Sequence, residues 1–383
     1  MENTQRKWSR IIGLDLSKQT FKGCILSGES FTDKEMFDGR MSQDSGGYGL
    51  IRARIRDGDI VLMEAGSSTF NLARYLIRES SAAQIVVLNP ANLRIIWDSM
   101  RKTDKSDAVK IACIARDMRP EAWPTVPVPS AQEQAERSVI TQHVFLRKQE
   151  TQLFNRLFAL YNSLGYPDID KARLKEDSGY RMELADKLLS VSELSLLNGM
   201  MLNDQINLVQ LQLENHEERL RRICLAHPRQ ALSWLSIPGI GLVNAATLIA
   251  YVGDGARFSK ADQLLNYAGL VPKLNQSGTV DIHGRITKRG CSAIRRNVVQ
   301  GAHVLMKMRV QCPLTRFAYR KRQQCPFNGK VAVAVATHML RTGLAMLHKD
   351  NALYVTAAED NYEKLRRKLA EYKVKALAAH LPK

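Results

Sequence analysis

The first 125 residues alternate short apolar runs with amphipathic stretches. Ile11-Ile12-Gly13-Leu14-Asp15-Leu16 is an apolar run carrying an acid near its end. Residues 21–26 form a second run after a polar turn, and residues 30–37 a weaker third. Ile60-Val61-Leu62-Met63-Glu64 repeats the first form, a buried-strand run that ends on an acid. Residues 69–78 place Phe70, Leu72, Ala73, Leu76 and Ile77 at helical spacing, and Ile85-Val86-Val87-Leu88 is a further strand stopped by Asn89-Pro90. Residues 104–118 predict a helix with Ala108, Ile111, Ala112 and Ala115 on its apolar face. Three strands, a longer segment, then strand–helix–strand–helix predict an α/β domain on a mixed sheet over residues 1–125.

Pro124, Pro127 and Pro129 punctuate a linker, because such spacing continues neither helix nor inner strand. Residues 131–164 and roughly 181–226 are charged and rich in Leu, Gln and Glu. They predict a helical arm over residues 126–228, either an antiparallel or oligomeric coiled pair or, since the heptads are imperfect, a plain arm. A mainly α domain follows over residues 229–350. Its helical stretches at 231–235 and 243–252 flank Ser236-Ile237-Pro238-Gly239-Ile240-Gly241, residues 275–290 read as loop, and helical pattern resumes at 293–308 and 331–347. Residues 351–383 read as a basic helical tail with little apolar face.

No stretch approaches the ~20 uninterrupted apolar residues of a membrane span, and the polar N-terminus lacks the apolar core of a signal peptide. A cytoplasmic, nucleoid-associated protein without a membrane partner is expected. Six cysteines without a C-x-x-C pair predict free thiols rather than a zinc site or disulfides. With 45% hydrophobic and 25% charged residues the composition is globular. The charge balance is less ordinary: 56 Lys+Arg against 38 Asp+Glu leave +18. A polyanion partner is the simplest reason to tolerate that self-repulsion. Residues 283–330 concentrate it, with Arg285, Lys288, Arg289, Arg295, Arg296, Lys307, Arg309, Arg316, Arg320, Lys321, Arg322 and Lys330 and no Asp or Glu. A solvated face mixes signs, so this block predicts a phosphate-binding surface, to which Lys273 is added. Its contacts would be mainly to the backbone, giving affinity but little sequence information.

Asp15 and Glu64 each close a strand run, and a strand delivers a carboxylate rigidly to a sheet edge, where it can hold a hard cation. In Lys102-Thr103-Asp104-Lys105-Ser106-Asp107 the two acids stand at i, i+3 on one helical face and repel unless a cation lies between them. Two Mg²⁺ or Mn²⁺ ions on Asp15, Glu64, Asp104 and Asp107 would form a phosphoryl-transfer site. The plainer reading makes Asp104 an N-cap and Asp107 an acid favouring the helix's positive end. Pro238-Gly239-Ile240-Gly241 predicts a helix–hairpin–helix in which Gly239 and Gly241 admit a phosphate to the N–H groups of the next helix; a tight turn without ligand reads as well. Ser277-Gly278 alone is a turn, since a serine hydroxyl is a poor nucleophile without activation.

In combination these segments resemble a bacterial insertion-sequence transposase family that also contains the pilin-gene inverting recombinases. The N-terminal part of the resemblance rests on Gly13-Leu14-Asp15, Glu64 and Lys102-Thr103-Asp104-Lys105-Ser106-Asp107-Ala108. The C-terminal part rests on Ile237-Pro238-Gly239-Ile240-Gly241, Tyr267-Ala268-Gly269-Leu270-Val271-Pro272, Ser277-Gly278 and Gly284-Arg285-Ile286-Thr287-Lys288-Arg289-Gly290. The resemblance implies an RNase H-like (RuvC-like) N-terminal domain whose Asp15, Glu64, Asp104 and Asp107 bind Mg²⁺. It implies a nucleophilic serine, matched by Ser277 and less well by Ser292, that forms a phosphoserine link to DNA. It further implies double-stranded donor and target DNA, a structured guide RNA encoded by the element, and a homo-oligomer, dimer or tetramer, with the acids of one protomer facing the serine of another. The rival readings are a metal-dependent nuclease or junction resolvase using water, a site-specific invertase, and a non-catalytic nucleic-acid-binding protein. A phosphoserine conserves the phosphodiester energy, and the chain carries no G-x-x-x-x-G-K-[ST] loop for ATP.

Overall fold

The computed structural model describes residues 8–90, 93, 107–277, 280–354 and 358–381, with backbone alone for 273–277, 280–284 and 358–361. The chain divides into two compact units, Met1–Gln132 and Glu133–Lys383.

The first unit is built on five strands, β1 (Ile11–Leu16), β2 (Thr20–Ser27), β3 (Asp33–Arg40), β4 (Ile60–Glu64) and β5 (Gln84–Leu88), in the order β3-β2-β1-β4-β5. The first three are antiparallel neighbours, while β4 and β5 run parallel to β1. Both faces of the sheet are covered, which is why β1 and β4 read as continuous apolar runs rather than alternating ones. Ile12, Leu14, Val61 and Met63 pack with Ile51 of α1 (Tyr48–Arg54) and with Leu72 and Leu76 of α2 (Thr69–Glu79). Ile11, Ile60 and Leu62 face α3 (Asp107–Asp117), which buries Ala108, Ile111, Ala112 and Ala115 as its spacing predicted. Gly13 makes that packing possible: a Cβ there would lie 2.3 Å from the Ala108 carbonyl oxygen and 2.6 Å from the Ala112 nitrogen. The predicted mixed α/β domain is what the chain forms.

The second unit begins with α4 (Ala131–Ser163), which leads through short helices α5 (Lys171–Glu176), α6 (Ser178–Glu183) and α7 (Ala185–Leu189) into α8 (Glu193–Ala226). The second long helix therefore starts later than residue 181, because Asp170 and Asp177 cap new short helices by accepting backbone N–H groups. Buried positions on α8 (Gly199, Leu202, Ile206, Val209, Leu213, His216, Leu220, Ile223) recur three and four apart. Leu202 and Ile206 share a core with Phe154, Leu157 and Tyr161 of α4, and Val209 and Leu213 another with Leu146.

The rest of the unit is α9 (Pro228–Ser236), α10 (Leu242–Val252), α11 (Ala261–Ala268), the hairpin β6 (Pro272–Ser277) and β7 (Val280–Ile286), α12 (Ser292–Lys307), α13 (Pro313–Gln324), α14 (Asn328–His348) and α15 (Ala358–Glu371). α14 is long and apolar enough to cross a membrane by composition, but Val331, Val335, Met339, Leu340 and Leu344 lie in the common core. Gly343 leaves the notch that holds Trp234, whose ring would lie 1.9 Å from a Cβ at that position.

Two expectations change here. Residues 275–290 are largely a hairpin rather than a loop. The alternation of Val280, Ile282 and Ile286 with polar residues carried the period-two signal, against the turn residues around it. The tail also has an apolar side: Leu365 and Leu369, one helical turn apart, are buried with Val374 and Leu377 in the same core, and the Lys368 ammonium donates to the Leu235 carbonyl at 2.6 Å.

Candidate catalytic carboxylates and nucleic-acid surface

β1 and β4 lie side by side, with Leu14 paired to Met63 as their last register pair. Asp15 and Glu64 each follow that pair, so the parallel strands bring the two acids to the same sheet edge. Alternation along the strands turns both toward the face that carries α3, with Ile11 and Gly13 on one strand and Ile60 and Leu62 on the other. The Thr69 hydroxyl donates to the Glu64 carbonyl at 2.7 Å and accepts from the Gly66 N–H at 2.9 Å, fixing the chain where it leaves β4. Asp107 begins α3, whose next turn passes over Gly13.

The three carboxylates feel one another. Burial, then repulsion from Asp107, pushes Asp15 above the usual carboxylate range, with Lys22 opposing. Burial, then Asp15 and Asp107, pushes Glu64 up. Asp107 is half-exposed and pairs with Lys110 at 2.9 Å. By contrast, Asp59 at the opposite end of β4 is fully buried and pairs with Arg10 at 2.6 Å, as a structural acid should. Asp104 lies outside the described residues, and among the described residues no three acidic, histidine or cysteine side chains are gathered closely enough to chelate an ion. The repulsion that raises Asp15 and Glu64 is of the kind a hard divalent cation beside their oxygens would relieve.

Two of the C-terminal motifs, residues 267–272 and 284–290, are backbone neighbours. The Thr287 N–H donates to the Val271 carbonyl at 2.8 Å, Lys288 to Gly269 at 3.1 Å and Cys291 to Tyr267 at 2.6 Å. Gly269, at φ +68°, and Gly290, at φ +123°, let the two segments touch: a Cβ on the first would lie 2.5 Å from the Arg289 carbonyl oxygen, and one on the second 2.3 Å from that of Tyr267. This clasp fixes the base of the hairpin. Ser277 stands at its other end, paired with Val280. Ser292 is exposed in the first turn of α12, behind the cap residue Cys291.

Of the basic candidates, Arg285, Lys288, Arg289 and Arg296 are exposed, while the side chain of Lys273 lies outside the described residues. Arg295 is half-buried and donates to the Ala268 carbonyl at 2.7 Å, so it finishes α11 as well as carrying charge. The turn between α9 and α10 has its glycines committed internally. Gly239, at φ +85°, faces the Gly301 carbonyl, 2.4 Å from where a Cβ would stand, and Gly241 faces the Tyr372 hydroxyl. Close helix packing accounts for these glycines without a phosphate.

A mixed sheet with acids at one edge, joined to a helical, strongly basic unit, defines a protein that works on nucleic acid. Residues 12–164 match the model of the IS110-type DEDD transposase domain, and residues 233–319 match that of the IS116/IS110/IS902 transposase family. Together these span well over half of the chain. The chain belongs to the IS110/IS116 family of insertion-sequence transposases and is an enzyme of the transposase and recombinase class, which cleaves and rejoins DNA. It is 27% identical to a probable family 20 transposase of Pseudomonas aeruginosa over 88% of this chain and 97% of the relative. It is 25% identical to the transposase of element IS1111A of Coxiella burnetii over 78% of each. The pilin gene-inverting protein of Moraxella bovis is 20% identical over 88% of this chain and 96% of the relative.

Proposed function

We propose that the chain is a transposase that cuts and rejoins DNA through a phosphoserine intermediate, with a RuvC-like first unit and a serine-bearing second unit. The observation that supports the metal half is the parallel pairing of β1 and β4, which sets Asp15 and Glu64 at one sheet edge, with Asp107 near enough to push both up. With Asp104 they would hold Mg²⁺ or Mn²⁺, two ions in the full site, which neutralise charge developing on the phosphoryl group. Ser277 is the proposed nucleophile. Its oxygen forms a bond to phosphorus as one phosphate ester bond to a deoxyribose oxygen breaks, leaving a free hydroxyl. Attack by an incoming hydroxyl on the phosphoserine reverses the step and restores the serine, so the phosphodiester energy is conserved. The test is denaturing electrophoresis of end-labelled donor DNA incubated with the protein and Mg²⁺. A protein-linked product that maps to Ser277 is expected; joining without any protein-linked strand would leave water or a DNA hydroxyl as nucleophile, as in a resolvase.

The exposed cations Arg285, Lys288, Arg289 and Arg296, with Lys273, would hold phosphates near the hairpin. Such contacts carry little sequence information, which supports delegating target choice to base pairing by an element-encoded RNA. Whether the outcome is transposition or inversion of a segment follows from where the paired sites lie.

Homo-oligomerisation is proposed through the arm. Leu194, Leu197, Met201, Leu208 and Leu211 are all exposed, Leu194 to 78%, and fall at a three–four spacing on a side of α8 away from its buried seam. A second copy offers a matching apolar stripe. Leu194→Glu with Leu208→Glu is expected to halve the mass measured by light scattering while leaving helix content unchanged; an unaltered mass would remove the arm as the interface.

A further inference from the structure

The basic block holds a feature that the phosphate reading does not use. Between Asp281 and Asp350 the chain has no acidic residue. In the middle of that stretch, the end of α12, the loop after it and α13 enclose an open cleft of about 860 Å³. Arg309, Arg316, Arg320 and Arg322 line it, and all four are exposed. No ion pair engages any of them among the described residues. Four exposed guanidinium groups around one concavity focus a positive potential that an anion relieves.

The cleft is not purely cationic. Tyr319 stands in its lining with 66% of its surface exposed, and Met308 with 40%. On α13, Arg316, Tyr319 and Arg320 occupy i, i+3 and i+4, one helical face. The buried Leu314 and Ala318 hold the opposite side of that helix in the core. An exposed ring is not needed to pack α13, and duplex DNA, whose bases are stacked on one another, offers it nothing. A strand with unpaired bases offers both a π-face for the ring and phosphates for the arginines.

We propose that this cleft binds a single-stranded segment of nucleic acid, with a base stacked on Tyr319 and adjacent phosphates held by Arg309, Arg316, Arg320 and Arg322. The strand is either an unpaired stretch of RNA or a DNA strand displaced from its partner; the two share the chemistry the cleft recognises. The inference rests on the family's action on DNA, not on the serine or metal reading.

The test is fluorescence anisotropy of the full-length protein with 12-nucleotide oligo-dT, oligo-rU and a 12-base-pair DNA duplex, at several salt concentrations. Tyr319→Ala is expected to weaken single-strand binding about tenfold, within the usual range for one stacked base, and to leave duplex binding unchanged. Tyr319→Phe, which keeps the π-face, should bind as wild type. Arg316→Gln with Arg320→Gln should lower the slope of log affinity against log salt by about 1.4 for the single strands, two phosphate contacts' worth. Tighter binding of oligo-rU assigns the cleft to RNA and tighter binding of oligo-dT to a displaced DNA strand; either supports the proposal. Single-strand binding unmoved by Tyr319→Ala, or duplex binding lost in equal measure, overturns it. Because Tyr319 lies on the surface, unchanged thermal unfolding of the variants separates these outcomes from misfolding.

Discussion

Asp15→Asn and Glu64→Gln should each reduce DNA cleavage and joining by roughly 10³-fold or more, as loss of a group that stabilises transition-state charge does, while the metal-free protein becomes slightly more stable. The sign follows from the shifts. Both carboxyls sit above their ordinary range in the folded chain, so the folded state binds protons more tightly than the unfolded one. Stability contributed by protonation is therefore present at low pH. It is lost as pH rises through the ordinary values of 3.8 and 4.5 and beyond them to the raised ones. Above the raised values the charged carboxyls cost stability, by an amount that solvent screening keeps small, since neither is deeply buried. Neutral isosteres remove that cost. Millimolar Mg²⁺ should remove it too, raising the Tm of the wild-type protein but not of the variants. Thermal scans with and without Mg²⁺, beside a cleavage assay, check both halves. Variants that lose stability and respond to Mg²⁺ like wild type would make these acids structural.

How much of this was legible beforehand depended on the kind of signal each residue left. β1 and β4 were readable because a sheet covered on both faces demands uninterrupted apolar residues, and an acid breaking such a run at its end stands out. Nothing in the sequence, however, says that β1 and β4 are neighbours with Leu14 opposite Met63, and that pairing is what brings the two acids together. The role of Gly13 was equally hidden, since a glycine inside a strand does not reveal which helix crosses it. The hairpin after Pro272 is hidden in the sequence because Asn, Ser and Gly dominate its tip, although its second strand alternates. The pattern at Gly239 and Gly241 suits a phosphate-binding helix–hairpin–helix and a plain tight turn alike, and the close approach these glycines permit is to α12 and Tyr372, long-range partners that no local pattern names. Arg295 looked like its basic neighbours; only the fold commits one of its N–H groups to the end of α11. The cleft around Tyr319 lay inside a block read for charge alone, and an exposed ring is indistinguishable from a core ring until burial is known.

Ser277→Ala should abolish both strand joining and any protein-linked DNA, by roughly 10⁴-fold or more, since removing a covalent nucleophile forfeits the whole two-step path. Ser292→Ala should stay within about threefold of wild type. The contrast has a physical basis in where the two serines stand. Ser277 ends β6 at the tip of a hairpin whose base is clasped by the Gly269 and Gly290 segments, so a backbone anchored at one end presents the residue at the other. Ser292 is in the first turn of α12, where an exposed hydroxyl is replaceable and the cap position is already taken by Cys291. Both variants keep the carboxylates, so Mg²⁺ should still raise their Tm, which distinguishes loss of the nucleophile from loss of the metal site. A Ser277→Ala protein that still nicks DNA at a reduced rate, giving a free phosphate end and no joined strand, would place water in the serine's position on the same carboxylate site. Full joining by Ser277→Ala, with loss in Ser292→Ala, would move the nucleophile to the head of α12.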